Sequence, residues 1–198
     1  MDEKTAVEEL QFIRKVIDET RQSVVYNGKD YIFWGIIVII GMMSTYILVI
    51  NEIYFKYTYI WLVLISIGWA YSLYNSKKQK SKFPSTFAGK LIGYVWGVSG
   101  IAMTIIGFIG TYSGAVTPMG ISPIACIIMG GAYFLTGKLC EAKWMSYLSY
   151  GWWIGGTALL FIKSVESFLI MSLLMLFFQT IPGIIIYRKY KKEIAVKS

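Results

Sequence analysis

Gln179, Thr180 and Pro182 are the first residues in this chain whose types and spacing suggest chemistry, because they interrupt an otherwise apolar run. A proline inside a helix cannot donate to the carbonyl four residues back, here Phe178, so the helix should kink there and leave an acceptor free. Gln179 is the one side-chain amide placed well inside an apolar run. Two outcomes are open. Neighbouring hydroxyls and helices satisfy the freed groups, or the break lines a small polar cavity or gate. Tyr71 and Tyr133 are the further residues expected to line such a cavity.

Most other chemistry is missing from the pattern. The chain has no histidine, which removes the commonest general base and the commonest metal ligand. No Asp, Glu, Lys or Arg falls within the long apolar runs, so the proton relays, ion paths and voltage sensors that such residues mark are not expected. There is no HExxH, phosphate-binding GxxxxGK[ST] or CxxC motif. The reading is that the chain is not an enzyme, with no catalytic, cofactor-binding or metal-binding residues. Cys126 and Cys140 lie fourteen residues apart. Along a helix that is roughly 20 Å, too far for a disulfide, so both are expected as free thiols.

A second pattern concerns packing. Gly93, Gly97, Gly100 and Gly107 follow one another at helical spacing, and Gly89, Thr104, Thr111 and Gly114 extend the same stripe. Glycine is a poor helix former, so a stripe of it needs a reason. In lipid, small residues let helix backbones approach closely. The stripe predicts a packing seam, either inside the bundle or between protomers. Gly151, Gly155 and Ala158 form a shorter version.

These residues sit on elements that the apolar runs define. The chain has 198 residues, 56% of them hydrophobic and 15% charged. Uncharged runs cover residues 31–51, 57–75, 91–114, 119–137, 144–162 and 167–187. Each has the length a helix needs to cross a bilayer. The expectation is an all-α integral membrane protein, a six-transmembrane-helix bundle built from three hairpins. No cleavable signal peptide is expected. Trp34-Gly35 recurs as Trp96-Gly97, and Gly68, Ala70, Tyr71 and Leu73 recur as Gly130, Ala132, Tyr133 and Leu135, which suggests duplication of one hairpin. Trp34 and Trp144, near charged boundaries, read as interfacial anchors.

Charge sets the orientation. Of the 19 basic residues, only Lys56 and Lys163 fall outside the N-terminal segment, the connections after the second and fourth runs, and the tail. That bias places both termini on the cytoplasmic side. Residues 1–30 hold an amphipathic helix with Leu10, Ile13 and Ile17 on one face, and 188–198 form a basic tail. The first 22 residues carry more acids than bases, so the arm is expected to dock on protein rather than on anionic lipid.

The net charge of +8 flanks apolar runs, which points to anionic headgroups at the cytoplasmic face and not to nucleic acid. The expected localisation is a cell membrane of bacterial type. The expected role is a non-enzymatic component acting through helix association and its cytoplasmic arm, with a protein partner or a second copy. The alternative is a small permease or channel subunit for a neutral or lipophilic solute.

Overall fold

The computed structural model describes residues 28–53, 57–80 and 87–197, and all regular structure among them is helical. The amphipathic segment ahead of the first run lies outside the described residues. The helices are α1 (Gly28–Ile50), α2 (Tyr57–Lys80), α3 (Phe87–Ile105), α4 (Pro118–Leu139), α5 (Lys143–Phe161), α6 (Glu166–Met175) and α7 (Ile181–Lys197). One π turn, Ile106–Gly110, extends α3, and another, Leu176–Thr180, joins α6 to α7 as one rod.

Among the described residues four helical segments are long and apolar enough to cross a membrane: Gly28–Ile50, Gly89–Gly110, Pro118–Leu139 and Glu166–Arg188. Their length and composition suit a membrane-embedded helical protein. α2 and α5 fall short of the same measure. Their sequences are rich in Tyr, Trp, Ser and Thr, whose polar atoms lower hydropathy without adding charge.

Local signals account for several helix ends. Thr117 caps α4, its hydroxyl accepting from Gly120 N at 3.2 Å, with Pro118 following as the first helical residue. α1 and α4 end alike. Ile53 N donates to Leu48 O at 2.9 Å, and Ala142 N donates to Gly137 O at 2.8 Å. The residue inside each closing turn has positive φ, 59° at Glu52 and 51° at Glu141. Such turns usually recruit glycine.

Neighbouring helices run antiparallel, and the closest approaches show it. α2 lies along α1, with Trp61 against Gly41 at one end and Asn75 Nδ2 donating to Asp30 Oδ1 at 2.6 Å at the other. α5 lies along the length of α4, from Ser146 against Gly137, through Trp153 against Gly130, to Gly156 against Cys126. The α6–α7 rod lies along α1 and also packs on α5. A Cβ placed on Gly28 would stand 2.9 Å from Tyr187 N, and one on Gly183 would stand 3.0 Å from Ile32 N. Only glycine lets these two backbones meet.

One device recurs across the helix pairs. A tryptophan lies over a small residue and donates its indole N–H to the hydroxyl four residues further along that helix. Trp61 covers Gly41 and donates to Thr45 at 2.9 Å; Trp34 covers Gly68 and donates to Ser72 at 2.9 Å. Trp69 covers Gly100 and donates to Thr104 at 3.3 Å. Trp96 donates to Thr136 at 3.1 Å, with Ala132 at the small position. The threonines pass the bond on to the carbonyl four residues back, at 2.7–2.8 Å. The indole thus fills the space left by a missing side chain and satisfies its one polar atom in the same step.

Trp34 is therefore a helix-to-helix contact rather than only an interfacial anchor, whereas Trp144 is 41% exposed. The repeat is also looser than its sequence. Trp34 lies on Gly68, but the matching Gly130 is covered by Trp153.

Candidate functional site

The polar centre of the bundle forms where α1, α4 and the α6–α7 rod meet. The Tyr133 hydroxyl donates to Gln179 Oε1. Both side chains are buried, Tyr133 fully and Gln179 to within 3% exposure. Gln179 sits in the π turn, where the chain takes one extra residue per turn. Thr180 Oγ1 donates to Met175 O at 3.1 Å, the carbonyl five residues back. Gly35 of α1 provides the space beside Thr180, since a Cβ there would collide with the Thr180 hydroxyl. Pro182, also buried, follows at once, and the π turn ends as Ile181 N donates to Leu176 O, five residues back.

Aromatic rings enclose this centre. Tyr133 lies 5.4 Å from Trp96, 5.7 Å from Tyr31 and 6.2 Å from Trp152, centroid to centroid. Tyr31 and Trp96 meet edge to face at 5.4 Å, and Phe178 closes on Trp152 at 6.0 Å. Rings packed on rings leave the amide with a fixed, neutral partner. The arrangement can orient helices through a buried polar contact. It contains no nucleophile beside a base.

Gln179, Thr180, Pro182 and Tyr133 therefore come together, and Tyr71 does not. Tyr71 stacks on Phe33 at 3.8 Å on the α2 side of α1, whereas Gly35 looks toward Thr180 on the other side. α1 stands between them. Tyr31, Trp96 and Trp152 belong to the centre and carried no chemical signal in sequence. Aromatic residues are frequent throughout the runs, and only packing selects these three.

The glycine stripe divides in a similar way. Gly100 is covered by Trp69, at 3.2 Å from a built Cβ. At Gly93, Gly97 and Gly107 a Cβ would meet nothing within 4 Å. Of the two places open to the seam, inside the bundle or between protomers, the chain's own helices fill only part of the first: 6% of the apolar window of α3 is buried, against 44% in α4. An apolar groove lined by Tyr94, Val98, Ile128, Gly131 and Leu135 runs between α3 and α4. Gly131 is open as well.

Both cysteines are free and buried, and the Cys126 thiol donates to Met171 Sδ at 3.4 Å. Among the described residues no three His, Cys, Asp or Glu side chains gather closely enough to hold a metal ion. No protein-family model, curated protein or solved structure matches this chain.

Proposed function

We propose that the chain is a six-span, non-enzymatic component of a cell membrane that works by lateral association. Its α3 glycine face would meet the same face of a second copy, and both termini would lie on the cytoplasmic side. The observation that carries this reading is the open stripe at Gly93, Gly97 and Gly107 on the least buried of the four apolar helices. Glycine against glycine gives the closest backbone approach available to two helices in lipid. The packing supports six spans, since α2 lies along α1, and α5 along α4, over much of their lengths. Lys29, Lys78 and Lys138 support the orientation. Each rests over an aromatic ring, at 5.3, 6.0 and 5.3 Å, near what the antiparallel packing makes one end of the bundle. There they suit anionic headgroups on the cytoplasmic side.

The test is oligomeric state in bilayers, read by cysteine cross-linking from position 97 and by energy transfer between labelled copies. The Gly97→Cys chain should cross-link to itself, and labelled wild-type copies should show energy transfer. Gly93→Leu and Gly107→Leu should abolish self-association while leaving the thermal unfolding midpoint of the single chain unchanged. A wild-type chain that stays monomeric at high protein-to-lipid ratio would sink the proposal.

The permease reading keeps one supporting observation, the π turn beside Pro182, since π turns gather at functional sites. It would gain ground if Gln179→Leu abolished uptake of a neutral solute while Tyr133→Phe, at a similar cost in stability, left uptake intact.

A further inference from the structure

Ser122 of α4 and Ser167 of α6 are fully buried, and among the described residues neither hydroxyl has a hydrogen-bond partner. Other helical hydroxyls here behave differently. Those of Thr45, Thr104, Thr136 and Ser172 donate to the carbonyl four residues back. Ser122 and Ser167 make no such bond, and each hydroxyl is left buried without a partner among the described residues.

Their positions point to one shared site. Cys126 is one turn beyond Ser122, and Met171 is one turn beyond Ser167. The Cys126 thiol and Met171 Sδ touch at 3.4 Å. α4 and α6 run in the same direction, so the two serines occupy the layer one turn nearer the helix starts, on the faces that the sulfurs share. α5 closes the third side, where Gly156 would place a Cβ 2.8 Å from Cys126 Cβ and 3.2 Å from Pro123 O. Pro123 also denies an amide to the carbonyl of Met119, which adds an acceptor one turn away. Cysteine and the long methionine bridge the gap between the helices. Two serines at the same helix spacing are too short to reach each other.

We propose that Ser122 and Ser167 bind a single buried water that ties α4 to α6. A water can accept from both hydroxyls and donate in return, and neither hydroxyl carries the charge needed to hold an ion. Buried polar groups are almost always satisfied, and an interior water makes about three hydrogen bonds to groups that lack other partners.

The experiment is a double-mutant cycle on the full chain in lipid nanodiscs, read by the unfolding midpoint. Ser122→Ala and Ser167→Ala should each lower the midpoint by about 2–4 °C. The double variant should lose no more than either single variant, because one water serves both. Midpoints that stay level or rise, with additive effects, would show two independent hydroxyls and overturn the proposal. Should an alanine variant fail to fold, wild type decides. Magnetisation transfer from bound water to the two serine sites is expected, and transfer to neither site rejects the water.

Discussion

The Tyr133–Gln179 bond is where a single atom matters most. It is buried among aromatic rings, so removing one partner strands the other. Tyr133→Phe should cost about 1–3 kcal/mol of stability, and Gln179→Leu a similar amount. The pair Tyr133→Phe with Gln179→Leu should be less costly than the sum, because no polar atom is then left unpaired. Unfolding in mixed micelles would measure all three; strict additivity would mean that the bond is not the source of the loss. The indole bonds can be read in the same way. Trp61→Phe with Thr45→Val should show a coupling of about 0.6 kcal/mol, the usual size for side-chain bonds between membrane helices.

At the scale of the helix, two adjacent glycines make a clean comparison. Gly130 lies directly under Trp153, whereas Gly131 faces open space. Gly130→Ala should destabilise the α4–α5 pair by about 1–3 kcal/mol, since the indole and its bond to Ile127 O must move. Gly131→Ala should be neutral or slightly stabilising, because alanine is the better helix former. Equal effects would mean that Trp153 does not set the α4–α5 spacing. The closing turns give a second comparison. Glu141→Gly, at φ 51°, should raise stability by relieving a left-handed backbone, read as a higher unfolding midpoint.

For the whole molecule, the testable property is its orientation. A cysteine at Ser113, in the exposed turn between α3 and α4, should react with an impermeant thiol reagent added outside intact cells. A cysteine at Ser81 should not. Cys126 and Cys140 are buried and should stay silent. Labelling at Ser81 would invert the proposed topology. Deleting residues 1–22 should leave the spans inserted, because the deleted segment holds none of the apolar runs and the basic residues of the later connections and tail remain. If the chain acts by association through its arm, the deletion abolishes its cellular activity. A permease whose path lies inside the bundle keeps its transport.

Helical class and the apolar runs were legible in the residues themselves. Lipid offers no hydrogen bonds to a bare backbone, so long uncharged runs have few alternatives to helix. The free thiols followed from spacing alone. The sequence placed Gly93, Gly97, Gly100 and Gly107 on one stripe, but only the tertiary structure decided that Trp69 covers Gly100 and leaves the rest open. It also decided that Tyr133 meets Gln179 while Tyr71 lies beyond α1, and that Trp34 serves Ser72. The reason is physical. In a soluble protein the buried face is the apolar face, and periodicity reveals it. In a membrane the lipid-facing and helix-facing sides are both apolar, so hydropathy does not say which residues meet, and shape and hydrogen bonding choose the neighbours after the helices form.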